Sequence, residues 1–398
     1  MRLKKKILAL VMTAAVTAGM MPAAFVCADE VDDEGLIEIE YDEDDDEGLI
    51  DVNYDEDVYE DEDLDETEDI EDFDWANADS FTIGDNEYVF DHRIETYLFI
   101  GTDDSGNEYD VDALISNMNS EVDMDRGEYK GRMADFLTLL VIDHTDDSFG
   151  FLQLDRNMKV RVDILDSNGE FQGAEDMLLC VSHYWGRSPE QSSENTVETV
   201  RLALGDFEVI NGYYTLHMDD VGSLADLVGG VDVKIEDDMT NVDPSFIKGE
   251  TVTLDSATAE KFVRARMQVG DGTNEGRMRR QRAYMHSFYD KAMARINSDY
   301  NFIDELYGQM KDVAVTDISG NDVGRIAEAV RKGKNKGILR FDGKTVIEVS
   351  PGDNMEHETF YPDETSMVNV LATLFSAKKL DEYGDIDPNW TPDPVAAE

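Results

Sequence analysis

Apolar residues enter this chain in blocks whose period switches between two and about three and a half. Residues 95–101 (Glu-Thr-Tyr-Leu-Phe-Ile-Gly) read as a strand ending at a glycine turn. Residues 136–142 are an almost unbroken apolar run, the pattern of a strand covered on both faces. A polar turn at His144-Thr145-Asp146-Asp147 leads into a further strand over 148–154. The spacing predicts helices over 196–204, stopped by Gly205, and over 219–228, stopped by Gly229-Gly230. A short strand at 231–235 precedes a helix over 256–263 with Ser256 as its N-cap. A long helix without breakers follows over 278–296, then a helix over 323–331, a strand over 345–349 and a helix over 364–377. Strands alternating with helices predict a layered α/β fold.

The pattern fails at both ends. Arg2 and Lys4-Lys5-Lys6 open the chain, an apolar run follows to about Val26, and Val26-Cys27-Ala28 precedes Asp29. Residues 1–28 therefore read as a signal peptide or as a retained membrane anchor, with the remainder outside the cytoplasm. Residues 29–80 are dense in acids, and up to residue 79 they contain no lysine, arginine or histidine. Self-repulsion and low hydrophobicity predict a disordered polyacidic tether. It carries a duplication, Asp32–Ile37 recurring as Asp45–Ile50. Residues 381–398, acidic and proline-bearing, read as a loose tail.

Charge sharpens the picture. With 91 acids against 34 lysines and arginines the formal net charge is -57, which excludes nucleic acid as a partner. Yet Arg264, Arg266, Arg277, Arg279, Arg280 and Arg282 crowd one stretch with only Asp271 and Glu275 among them. An anionic ligand is the simplest reason, because the planar guanidinium fork suits phosphate. Arg277, Arg280 and Gln281 share one helix face, whereas Arg279 and Arg282 point elsewhere and read as surface charges. With Cys27 in the leader, Cys180 stands alone and no disulfide framework is possible.

Four pieces in order carry a resemblance. They are Phe99-Ile100-Gly101-Thr102-Asp103; Arg132-Met133-Ala134-Asp135 with Leu154-Asp155-Arg156-Asn157; Asp219-Asp220-Val221 through Gly229-Gly230-Val231; and the arginine segment. Together they resemble the LytR-CpsA-Psr family over roughly residues 93–295. The resemblance implies an α-β-α layered domain with a central mixed sheet and an apolar lipid pocket. It implies a phosphotransferase of the bacterial envelope, moving a glycopolymer such as teichoic acid or capsular polysaccharide from a polyprenyl pyrophosphate carrier to peptidoglycan at the membrane surface. The alternatives are a non-catalytic polyisoprenoid-phosphate binder and a lipid pyrophosphatase.

Carried over residue by residue, Asp103 and Asp135 match the family's magnesium ligands, with Asp104 a weaker candidate. Arg156, Arg264, Arg266, Arg277, Arg280 and Gln281 match its pyrophosphate-binding positions. Asp103, Asp135 and Arg156 would be catalytic, one of the two carboxylates helping to deprotonate the acceptor hydroxyl. Phe136, Leu137, Leu139, Val141, Leu152, Leu202 and Leu227 are candidates for the lipid pocket. On this reading 81–300 is the catalytic domain and 301–380 an α/β extension packed on it or continuing it. There are departures. Met133 stands where the family has arginine, its Pro-Arg-Asp turn reads Asp155-Arg156-Asn157, and the aspartate before its helical arginine reads Asn274. A carboxylate has moved or been lost. His183 is either a polariser of the acceptor or a structural histidine.

Overall fold

The computed structural model describes residues 78–103, 129, 131–207, 210–299, 313–319, 333–350 and 354–395, with scattered positions between 302 and 332. The leader 1–28, nearly all of the tether, and Asp104 lie outside the described residues. The described residues belong to one compact unit. Among them no helix is long and apolar enough to cross a membrane.

A hairpin of β1 (Asp79–Ile83) and β2 (Asn86–Phe90) leads into β3 (Ile94–Asp103). Strands β4 (Met133–Asp143), β5 (Ser148–Leu154), β6 (Lys159–Leu165) and β7 (Phe171–Leu178) follow, then a short 3-10 turn and helix α1 (Pro189–Ala203). Next come β8 (Gly212–His217), α2 (Val221–Leu227), β9 (Val231–Lys234), β10 (Thr251–Leu254), α3 (Ala259–Arg264) and α4 (Asn274–Ser298). The C-terminal part supplies β11 (Ala314–Thr316), β12 (Lys334–Leu339), the hairpin β13 (Gly343–Val349) and β14 (Glu356–Pro362), α5 (Glu364–Phe375) and β15 (Lys378–Lys379).

The central sheet has six strands in the order β11-β8-β3-β4-β5-β12. It is mixed: β3 runs antiparallel to β4 and parallel to β8, and β12 runs parallel to β5. Side chains alternate across it, as the period of two requires. Leu98, Ile100, Leu137, Leu139, Val141 and Leu152 join one core with α5 and the β1–β2 hairpin. Tyr97, Phe99, Leu140, Ile142 and Phe151 join the other, with α2, α3 and α4. Helices on both faces of a mixed sheet make the expected α-β-α layering. Because β11 and β12 lie in this sheet, the part beyond residue 300 continues it.

Boundaries differ from expectation for identifiable reasons. Helix α1 begins at Pro189 because Ser188 caps it, accepting from the Gln191 N–H at 3.3 Å. Up to Thr199 its buried face is polar, and hydroxyls of Thr196 and Thr199 return bonds to the carbonyls of Ser192 and Asn195. A hydrophobic period cannot register such a face. Helix α3 starts at Ala259, not at Ser256. The Ser256 N–H goes to Asp226 at 2.9 Å, and Asp255 organises the turn by accepting from Ala257 and Thr258. Helix α4 opens at Asn274, four residues before the expected start, with Thr273 accepting from the Gly276 N–H. The alternation Val160, Val162, Ile164 buries one face of β6, a signal the sequence reading passes over. The described part of the tail, up to residue 395, is docked, not loose: Trp390 lies 5.3 Å from the Tyr88 ring, and the Asp393 N–H is bound by Asn369.

Candidate active site

Four elements bring a wall residue and a charged residue to one place. On β3, Gly101 lines an apolar cavity and Asp103 follows; on β4, Asp135 precedes the lining residue Phe136. On α3, lining residue Val263 adjoins Arg264, and on α4, lining residue Gln281 adjoins Arg280. The cavity is partly open and is otherwise walled by groups such as Phe99, Tyr214, Leu224, Tyr284 and Phe288. Gly101 is required there: a Cβ would sit 2.9 Å from the Cβ of Phe136.

This corrects the expected lipid pocket. Of the seven candidates only Phe136 lines the cavity. Leu137, Leu139, Val141 and Leu152 lie in the core on the opposite face of the sheet. Leu202 is exposed, and Leu227 packs at the edge of the nearer core. In a strand covered on both sides composition does not tell one face from the other; only the neighbouring helices do.

Asp135 is the hub of the charged group. Its Oδ2 accepts from Arg277 Nη1 at 2.9 Å, and its Oδ1 faces Arg156 Nη2 at 3.1 Å. Side-chain exposure is 8% for Asp135, 4% for Arg156 and 2% for Arg277, so this triad is out of water. Asp103 accepts from Arg264, which also reaches Asp219 at 3.0 Å and Glu260. Burial, then the charge of Asp135, pushes the Asp103 carboxyl above its usual range, with Arg264 pulling the other way. Arg280 donates to the Ala265 carbonyl, and burial brings its guanidinium down to about 10. Gln281 donates to the Val263 carbonyl at 3.5 Å.

The structure therefore gathers Asp103, Asp135, Arg156, Arg264, Arg277, Arg280 and Gln281. It also corrects the picture of arginines short of acids. Each has a carboxylate from a distant part of the chain or a carbonyl, because scarcity along the sequence does not limit partners in space. Arg266 is held by Glu358 at 2.5 Å, from β14. Arg279 reaches Glu236 and Asp237 on the surface, as expected. Arg282 is instead largely covered, donating to Gln153 and Glu275.

The departures from the family pattern meet in space. Asn274 donates to Asp155 Oδ1 at 2.8 Å and accepts from Arg277 at 2.7 Å. Glu358 accepts from Asn157 at 3.4 Å and from the Asn274 N–H at 3.3 Å. Carboxylates thus stand beside both asparagines, one from the neighbouring position and one from the C-terminal hairpin. Sequence reasoning missed Glu358, and nothing local marks it among the chain's 91 acids. His183 is fully buried against Ser193 at 3.3 Å, and burial lowers it to about 4, which makes it a structural neutral imidazole.

Asp103 and Asp135 are the residues that would hold a magnesium ion. Asp103 and Asp135 sit close enough to repel. Among the described residues no group of three or more His, Cys, Asp or Glu gathers that could hold a metal. Two carboxylates without a full protein cage are what magnesium uses when phosphate oxygens and water complete its shell.

A layered α/β domain with buried arginines at the rim of an apolar cavity is the class that fold and site define. The chain belongs to the LytR_cpsA_psr family, whose model matches residues 94–375, and that family is one of cell-wall glycopolymer transferases of the envelope. No curated protein matches the sequence. Among solved structures, protein gbs0355 from Streptococcus agalactiae aligns with a TM-score of 0.52 at 15% identity, over 71% of this chain and 86% of that one. TagV of B. subtilis aligns at 0.49 and 20%, over 71% and 96%. TagT, solved bound to LI-WTA, aligns at 0.47 and 14%, over 72% and 92%. At these identities the likeness concerns the fold alone.

Proposed function

We propose that this protein transfers a glycan phosphate from a polyprenyl pyrophosphate carrier to a hydroxyl of peptidoglycan, on the outer face of the membrane. The observation that carries this is the junction of an apolar cavity with carboxylates and guanidiniums on four shared elements. The prenyl chain occupies the cavity and the diphosphate lies at its rim. As the bond to the carrier breaks, negative charge gathers on the departing prenyl phosphate. Arg264 faces that charge from the wetter side, and Arg156, Arg277 and Arg280 face it shut off from water, where fixed donors act most strongly. Magnesium held by Asp103 and Asp135 would add positive charge at the phosphate oxygens. Arg266 and Gln281 orient the headgroup. Because Arg264 is already paired, a ligand exchanges its carboxylate partners for phosphate ones and finds the guanidinium in place.

The test is binding and turnover of a short-chain prenyl pyrophosphoryl saccharide by the full chain, with magnesium and with chelator. Magnesium-dependent binding and formation of a glycan-phosphate ester on a peptidoglycan fragment are expected. Absence of binding in both conditions refutes the reading. Asn157 and Asn274 favour one alternative, a non-catalytic binder, and binding without turnover would select it. Release of the glycan phosphate to water would select a pyrophosphatase.

A further inference from the structure

We propose that Asp155 is the catalytic base and that the polar cleft it lines receives the acceptor sugar. This rests on the transferase reading above and extends it to the other substrate. The cleft holds about 420 Å³ and is open to solvent. Its walls come from the turn after β5, the first turn of α4, and the C-terminal hairpin. Asp155, Asn157, Asn274 and Glu358 bring carboxylates and carboxamides, while Phe341 and Phe360 bring apolar surface. Hydroxyl partners beside an apolar floor are what a pyranose ring, with polar edges and a C–H face, requires.

Helix α4 orders the two cavities. Asn274, Glu275 and Met278 line the cleft, while Gln281, Tyr284, Met285 and Phe288 line the apolar cavity. Arg277 and Arg280 stand between. At a rise of about 1.5 Å per residue, the span from 274 to 288 is about 21 Å. A carrier lying in the apolar cavity with its diphosphate at the arginines turns its far phosphorus toward the cleft. An attacking hydroxyl held there arrives from the side opposite the departing prenyl phosphate.

Asp155 is placed for the proton. Its Oδ1 accepts from the Asn157 N–H and from Asn274 Nδ2, both at 2.8 Å, and Oδ2 takes no part in these bonds. Among the described residues no guanidinium is ion-paired with it. By contrast Asp135 lies between two guanidiniums, Asp103 accepts from Arg264, and Glu358 holds Arg266. A carboxylate clamped by a cation is a poorer proton acceptor than one held by amides. Burial also pushes the Asp155 carboxyl up, against the smaller pull of its two amide bonds and of Arg277 and Arg156. In the step, the acceptor oxygen bonds to the phosphorus that carries the glycan, and that phosphorus loses its bond to the bridging oxygen. The hydroxyl proton passes to Asp155, and prenyl phosphate leaves with the electron pair.

The experiment uses the full chain, a short-chain prenyl pyrophosphoryl saccharide as donor, and the N-acetylglucosaminyl-N-acetylmuramic acid disaccharide as acceptor. Asp155→Asn should bind donor within twofold of the unaltered chain and lose transfer kcat by about 100-fold or more, the usual worth of a positioned base. Thr345→Trp, at an exposed cleft position on β13, should raise the acceptor KM at least tenfold and leave donor binding unchanged. Transfer by Asp155→Asn within threefold of the unaltered chain overturns Asp155 as base. Loss of donor binding in that variant does so too, because it would make the residue structural. An unchanged acceptor KM in Thr345→Trp overturns the cleft. Failure of the unaltered chain to bind donor strikes the transferase reading itself and is read separately.

Discussion

Two ion-paired groups at this site differ in one respect that governs their energetics. The Arg156–Asp135–Arg277 triad is nearly sealed, whereas Arg264 is 30% exposed and shares three carboxylates: Asp103, Asp219 and Glu260. Removing a partner from a sealed pair strands a charge without water, at a cost of about 3–5 kcal/mol. Removing one from a wet pair costs about 0–1 kcal/mol, because solvent replaces it. The sealed triad thus fixes the geometry of the site. The wetter arginine can change partners at little cost, which is what capturing an incoming anion demands.

Four measurements can break or sharpen that contrast. Asp135→Ala should lower unfolding free energy by about 3–5 kcal/mol in denaturant titration. Adding Arg277→Met should cost far less than the sum of the two single changes, since the pair acts as a unit. Additivity would show that the triad is not coupled.

Next in size is the buried His183. Its folded pKa, about 4, lies below the ordinary 6.5, so its contribution to stability is present above pH 6.5 and is lost as pH falls toward 4. At about 1.4 kcal/mol per pKa unit, the loss approaches about 3 kcal/mol. His183→Gln should flatten that acid limb in melts recorded from pH 7 to 4, and an unchanged limb would assign it elsewhere.

Arg264→Ala should cost no more than about 1 kcal/mol of stability. It should nonetheless weaken prenyl pyrophosphate binding at least tenfold by titration. Equal loss of fold and affinity would remove the distinction drawn here. The smallest effect belongs to Arg279→Ala. That arginine is 44% exposed and one residue from the buried Arg280. Stability should shift by less than about 1 kcal/mol and affinity should not move. A measurable loss of affinity would place Arg279 in the site.

Much of the fold was legible because period reports burial. The run at 136–142 is covered on both faces, and β5 spans the expected 148–154. The spacing of Arg277, Arg280 and Gln281 puts all three on the buried face of α4. What escaped has a common cause. The first half of helix α1 buries Ser192, Ser193 and Asn195 instead of alkyl groups, so no apolar stripe announces where it starts. The cavity lies on the Phe99 and Phe136 side of the sheet, and a run apolar throughout carries no mark of which face meets a void.

By itself, then, the sequence determined the alternation of strands and helices, the concentration of guanidiniums, and two aspartates at strand ends, because each is a matter of spacing along one chain. Only the tertiary structure decided which carboxylate holds which arginine, that Glu358 comes from the C-terminal hairpin to hold Arg266, and that Asp155 meets Asn274. At the site those are pairings between residues up to 161 positions apart. Coulomb attraction and hydrogen bonding depend on distance in space, and only the packing of the sheet against α4 sets that distance.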